Sequence, residues 1–209
     1  MKKGLFITFE GIDGCGKSTQ LANAAKNLLQ LGYRVITTRE PGGTPIAEKI
    51  REILTDPDHD EMVNECELLL YCAARAQHVR EKIIPAVENG TVVLCDRFQE
   101  ATFAYQGFGR SINMDHLTML NSYATGGIQP DLTFIIDITV EKSFSRLEKM
   151  NKSKDRLEMN GKEFFTKIRN GYLELALKNP KRVVVIDGDR DIEIIEKQVL
   201  EIIEQSYKN

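Results

Sequence analysis

Two hydrophobic periods alternate along this chain. Short, continuous apolar and β-prone runs stand at Leu5-Phe6-Ile7-Thr8-Phe9, Arg34–Arg39, Val92–Cys95, Leu132–Asp137 and Val183–Asp187. Runs without polar alternation belong to strands covered on both faces. Between them, apolar residues recur three and four apart, the spacing of helices. Leu21, Ala24, Ala25, Leu28 and Leu29 form one such stripe. Ile46, Ile50, Ile53 and Leu54 form another behind Pro45, a residue favoured in a helix's first turn. A longer stretch from about Asn64 carries Leu68, Leu69, Tyr71, Cys72 and Val79. Pro85 either kinks it or opens a fresh helix before Gly90. Later segments are expected at Asp115 to Gly126, Val140–Lys149, 163–178 and 192–207. Gly107-Phe108-Gly109-Arg110 reads as a loop. Strands alternating with helices predict an α/β fold with a five-stranded parallel sheet covered by helices on both faces. The 209 residues suit a single domain, 1–209.

In such sheets ligands gather at the carboxyl ends of the strands. The first strand runs into Gly11-Ile12-Asp13-Gly14-Cys15-Gly16-Lys17-Ser18-Thr19, which fits G-x-x-x-x-G-K-[ST] in the strand–loop–helix context that motif requires. Its glycines let backbone N–H groups turn inward around an anion, and the helix N-terminus adds positive potential. Lys17 can reach terminal phosphates, and the Ser18 hydroxyl can ligate Mg²⁺. The motif says nucleotide without naming the reaction. Arg39-Glu40, Asp96-Arg97, Asp137 and Asp187 also follow strands, so one site can gather them.

A formal net charge of −3 argues against a surface that coats nucleic acid. No apolar run is long enough to span a membrane. The four cysteines lack paired metal spacing and read as reduced thiols of a cytoplasmic protein.

Two P-loop classes lose their support in the motifs. A guanine-dependent switch needs N-K-x-D after a strand; Asn151-Lys152-Ser153-Lys154 lacks the aspartate and follows a helix. A transport ATPase needs a signature such as L-S-G-G-Q, which does not occur. A small kinase remains, which must neutralise phosphates on two substrates. Arg39, Arg51, Arg75 and Arg97 supply charge for a second anion site. Arg75 taken alone reads as a surface residue of its helix, whereas Arg97 follows a buried strand directly.

At this point the chain resembles the bacterial thymidylate kinase family over essentially its whole length. The resemblance rests on Phe9-Glu10-Gly11-Ile12-Asp13-Gly14, Thr38-Arg39-Glu40-Pro41-Gly42-Gly43-Thr44 and Tyr71-Cys72-Ala73-Ala74-Arg75-Ala76-Gln77-His78. Asp96-Arg97-Phe98, Ala104-Tyr105-Gln106-Gly107 and Asp155-Arg156-Leu157-Glu158 complete it. It implies phosphorylation of dTMP to dTDP by ATP with Mg²⁺, on the way to dTTP, by a homodimer with a mobile basic lid at about 146–160. It implies that Gly11 to Thr19 hold the ATP phosphates. Asp13, Glu40, Arg51, Tyr71, Arg75, Arg97, Thr102, Tyr105 and Gln106 would hold dTMP, with Asp13 on the sugar hydroxyl and Tyr71 against thymine. Lys17, Arg97 and Arg156 are expected to act at the transferred phosphoryl. Ser18 and, through water, Asp96 would hold the metal, although Asp96 could instead orient Arg97. Plainer readings stand beside these: Tyr71 as core, Thr102 and Gln106 as surface, and Lys149, Lys152 and Lys154 as a solvated loop.

Overall fold

A computed structural model describes residues 4–150, 156–157 and 159–207. Five parallel strands lie in the order β2-β3-β1-β4-β5: β1 Phe6–Glu10, β2 Val35–Arg39, β3 Val92–Asp96, β4 Leu132–Asp137 and β5 Val183–Asp187. Central β1 pairs Ile7 with Leu94 on one side and with Leu132 on the other. The chain therefore leaves β1 at the sheet's switch point, where a crevice opens between neighbouring crossovers.

Alternate β1 residues point to opposite faces. Ile7 and Phe9 join the larger core, which takes in Leu21 and Leu28 of α1 (Lys17–Gln30), Phe165 and Tyr172 of α8 (Lys162–Lys178) and Val199 of α9 (Ile192–Ser206). Phe6 faces the other way, onto Val79, Ile83, Val93 and Phe98. Besides α1, the sequence places α2 (Pro45–Thr55), α3 (Asn64–His78), α4 (Ile84–Glu88), α5 (Gln99–Thr102), α6 (Met114–Thr125) and α7 (Val140–Lys149) between the strands. A π-helical turn, Val79–Ile83, joins α3 to α4, so Pro85 sits in the first turn of a fresh segment where its missing N–H is harmless.

Two expectations need correction. Residues Phe103–Gly109 form a second π-helical turn, not a loop. Its glycines serve close packing: a Cβ on Gly107 would lie 2.7 Å from Met114 Cε, and one on Gly109 2.7 Å from Phe164 Cε2. The apolar side of α2 turns only Leu54, with Ala47, fully inward, while Ile46 and Ile53 are exposed. Arg75 is no surface residue; it is 2 % exposed and among the largest fully buried side chains. Of the arc expected at 146–160, Lys152, Lys154, Asp155 and Glu158 lie outside the described residues. Among the described residues no helix is long and apolar enough to cross a membrane.

Candidate active site

Gly11, at φ +130°, makes the first bend after β1, and a Cβ there would meet the Ile136 carbonyl oxygen at 2.4 Å. Gly16, also at positive φ, caps α1 without a side chain. The first N–H groups of α1 have no partner within the helix and face the loop's interior. Lys17 is buried and folds over this loop, donating to the carbonyls of Gly11 (3.1 Å) and Ile12 (3.0 Å). Arg146 reaches in from α7 to the carbonyls of Gly14 and Cys15, and the Ser143 hydroxyl donates to that of Asp13 at 2.6 Å. Burial pushes the Cys15 thiol up, so the residue offers the site its backbone and not a thiolate. Asp13 to Thr19, with Arg39, Asp96, Arg97 and Arg190, wall a cavity of about 930 Å³, at the upper end of the size range for small-molecule and cofactor sites.

Ser18 donates its hydroxyl to Asp96 at 2.8 Å, so the two expected metal contacts are together. Both offer hard oxygens, which suit Mg²⁺, an ion usually held by one or two carboxylates plus substrate phosphates and water. No cluster of three or more His, Cys, Asp or Glu among the described residues could hold an ion by itself. The protein groups fit a magnesium ion that arrives with a nucleotide.

Arg97 adopts positive φ (70°) just past β3. Its guanidinium pairs with Asp13 at 2.5 Å, donates to the Gly11 carbonyl at 2.9 Å and to the Tyr172 hydroxyl at 3.1 Å, and lies over the Tyr105 ring. Tyr105 donates to the other Asp13 oxygen at 3.0 Å. Burial by itself would raise Asp13. The charges of Arg97 and Lys17 and the bonds from Tyr105 and Arg97 outweigh it and hold the carboxyl down at about 2. Beneath them lies Glu10, fully buried, accepting from the Phe98 amide (2.6 Å) and the Tyr172 hydroxyl (2.9 Å). Burial, with Glu100 nearby, pushes this acid up to about 8 against the opposing effect of Arg97.

A second cavity opens beside the first. Tyr71, Arg75, Thr102, Tyr105 and Gln106 wall it together with Asp13, Glu40, Arg51 and Arg97. Those last four residues line both cavities. All nine residues expected to hold a second substrate are thus gathered around one space. Arg75 organises its floor. Nε donates to Glu40 (2.7 Å), Nη1 to Thr102 (2.8 Å) and to Asn121, and Nη2 to the Phe98 carbonyl (2.9 Å). Four of its five N–H donors are therefore used within the protein. His78 holds the other Glu40 oxygen at 2.9 Å, and Arg51 donates to the Pro41 carbonyl at 2.9 Å past a cis Glu40–Pro41 peptide. Tyr71 is half-buried at the cavity wall, and Thr102 and Gln106 are buried and not surface residues.

Arg156 is the exception. It was expected at the transferred phosphoryl, yet its guanidinium donates to Glu67 at 2.5 Å and to the Leu54 carbonyl at 3.1 Å, and it does not line the P-loop cavity. The buried Glu67 carboxylate that holds it also takes the amide of Gln106, which lines the second cavity. Glu67, Asn121, His78 and Tyr172 were not anticipated. Glu67 had one available signal: it stands four and eight residues before Tyr71 and Arg75, on the same face of α3.

A family model described as thymidylate kinase matches residues 9–199. The chain is 47% identical over 205 residues to a thymidylate kinase of Geobacter sulfurreducens, covering 96% of each chain. It is 46% identical over 198 residues to one from an Exiguobacterium species, covering 95% of this chain and 93% of that one. Among solved structures, thymidylate kinase from Ehrlichia chaffeensis superposes with a TM-score of 0.80 at 33% identity, covering 96% of this chain and 99% of that one. With the family model and these relatives matching nearly end to end, the chain belongs to the thymidylate kinase family.

Proposed function

We propose that the P-loop cavity takes ATP and the Tyr71 cavity takes dTMP, the two substrates of the thymidylate kinase reaction this chain carries out. One observation carries the assignment: the cavities meet on Asp13, Glu40, Arg51 and Arg97. Two anionic nucleotides brought end to end need cationic groups at the junction, and Arg51 and Arg97 supply them. The acceptor phosphate is already an anion, so no general base is required; positioning and charge stabilisation suffice. Lys17 and the N–H groups at the start of α1 bind the β- and γ-phosphates. Arg97, held by Asp13 and Tyr172, faces the acceptor phosphate. Asp13, kept ionised by Arg97 and Lys17, accepts from the sugar hydroxyl. Tyr71 stacks on the base, and Thr102 and Gln106 meet its polar edge, with Tyr105, Glu40 and Arg75 shaping the wall. Ser18 and Asp96 would hold Mg²⁺, which when bound neutralises phosphate charge.

The test is a coupled ADP-release assay across a panel of nucleoside monophosphates. dTMP is expected to be the best acceptor and dUMP a weaker one, since one methyl group is worth about 1–3 kcal/mol in a pocket. A preference for UMP, CMP or GMP defeats the cavity assignment.

A homodimer is also proposed. Ile46 and Ile53 of α2 and Leu69 of α3 are exposed apolar side chains that a two-fold partner would cover. Light scattering at micromolar concentration should give twice the chain mass; a monomer contradicts it. We further propose that the enzyme works in the cytoplasm, where thiols such as Cys15 and Cys66 stay reduced.

A further inference from the structure

Glu67 is one of the buried acids that the catalytic assignments leave unused. Glu67 on α3 is 1 % exposed, and three donors converge on it. Gln106 Nε2 reaches Oε1 at 2.8 Å; Arg156 Nη2 and Arg110 Nη2 reach Oε2 at 2.5 and 3.3 Å. A carboxylate paired with two guanidiniums offers acceptors only. The Gln106 amide could in principle face either way, because its oxygen and nitrogen exchange by a simple rotation. Turned over, it would set its carbonyl against the Glu67 carboxylate. The nitrogen is therefore held on Glu67, and the carbonyl is the group Gln106 can offer as an acceptor to the cavity it lines.

We propose that Glu67 is a specificity-determining positioning residue, fixing the Gln106 amide so that the acceptor cavity takes a base with an N–H at its pairing edge and rejects one with a lone pair there. This rests on assigning the Tyr71–Gln106 cavity to the acceptor base. Thymine carries N3–H, a donor; cytosine carries a bare N3. To meet a bare N3 in the place where its carbonyl meets N3–H, the Gln106 amide would have to turn over, break its bond to Glu67 and face its carbonyl to a charge of the same sign. The surroundings make that orientation hard to change. Gln106 sits in the π-helical turn, and Arg110 at its end grips the same carboxylate, so the turn is docked on α3 at two points. Arg156 adds the countercharge from the far side.

The experiment compares kcat/KM for dTMP and dCMP at saturating ATP in the full chain and in three variants. Glu67→Gln can present either end of its own amide to Gln106. It should lower the dTMP-to-dCMP ratio by at least about tenfold, the size of a lost charge-assisted hydrogen bond, with KM for ATP unchanged. Equal losses for both nucleotides would mean that Glu67 only supports the fold, and would overturn the inference. If Glu67→Gln does not fold, Glu67→Asp keeps the charge for Arg110 and Arg156 while drawing the carboxylate back from Gln106. The ratio should fall in the same direction, and an unchanged ratio overturns the proposal. Gln106→Ala separates the two levels of argument. A ratio that falls there and in neither Glu67 variant rejects the role of Glu67 and spares the cavity assignment. A ratio that Gln106→Ala leaves alone rejects the assignment, and with it the inference, because Glu67 acts only through that amide.

Discussion

The P-loop cavity takes eight of its lining residues from one contiguous segment, Asp13 to Gln20, whereas the Tyr71 cavity is walled by side chains from α2, α3, α5 and a π-helical turn. Backbone N–H groups at a helix start are held by the helix itself, and any nucleoside triphosphate presents the same phosphates to them. Side chains from separate elements need buried partners of their own. Arg75 needs Glu40, Glu40 also needs His78, and His78 Nε2 meets Thr38 Oγ1 at 2.7 Å. On the proposed assignment the donor side is locally encoded and tolerant, while the acceptor side is globally encoded and discriminating. Losses on the first should fall on turnover, and losses on the second on stability and selectivity together.

The largest expected effect tests the brittle side. Arg75→Ala leaves the buried Glu40 carboxylate without its guanidinium partner. Breaking a buried pair by removing one partner costs about 3–5 kcal/mol. Denaturant unfolding should show a large drop in midpoint, and an unchanged midpoint would mean that the Glu40–Arg75 web is not integral to the fold. Lys17→Ala tests the tolerant side. Loss of one preorganised charge donor typically costs on the order of 10²–10³ in turnover. The unfolding midpoint should barely move, since the Lys17 ammonium donates within its own loop, to the carbonyls of Gly11 and Ile12 and to the Cys15 sulfur. A folded variant with near-normal turnover would remove Lys17 from the mechanism.

The same contrast explains what can be read from sequence. The strands are legible because each is a continuous apolar run, and the P-loop because its chemistry lies on adjacent residues. That the nine residues proposed for the acceptor share one cavity is legible through resemblance, but the buried partners that hold them are not. Arg75 reads as surface because its partner Glu40 lies 35 residues away, and a helical stripe carries no trace of it. Glu67 escapes notice because its partners Gln106 and Arg156 lie 39 and 89 residues off. The π-helical turn looks like a loop because glycines that permit close packing against Met114 and Phe164 look the same as glycines that permit a bend. Amphipathic spacing in α2 shows an apolar face without saying what covers it.

Arg97 stands where the two sides meet, and its loss should separate them. A charge-assisted contact to phosphate contributes about 1.5–3 kcal/mol. Arg97→Ala should raise KM for dTMP and lower turnover, with ATP binding by fluorescence or calorimetry almost unchanged. An equal loss of affinity for both nucleotides would assign Arg97 to the donor side, or to holding Asp13 alone.

Glu10 gives the finest test of that junction, because it lies under both halves. It ends β1 directly before the P-loop, and it fixes the Phe98 amide and the Tyr172 hydroxyl that steady Arg97. Burial pushes the acid from an ordinary 4.5 up to about 8. The native state therefore binds this proton more tightly than the unfolded chain does. Below about pH 4.5 both states hold the proton and Glu10 carries no penalty. As pH rises from there towards 8 the unfolded chain releases it first, so stability falls across that window, by at most about 1.4 kcal/mol per pH unit for one proton. Asp13 acts in the opposite sense at lower pH: its folded value of about 2 gives stability that is present above 3.8 and lost as pH drops towards 2. The two groups occupy separate windows, so a pH series of unfolding free energies can tell them apart. Glu10→Gln keeps a carbonyl to accept from Tyr172 or Phe98 and cannot ionise. It should flatten the decline between pH 5 and 8 and leave the acid limb, set by Asp13, in place. A decline as steep in the variant as in the parent would show that another group titrates there and that Glu10 is not the acid joining the two halves.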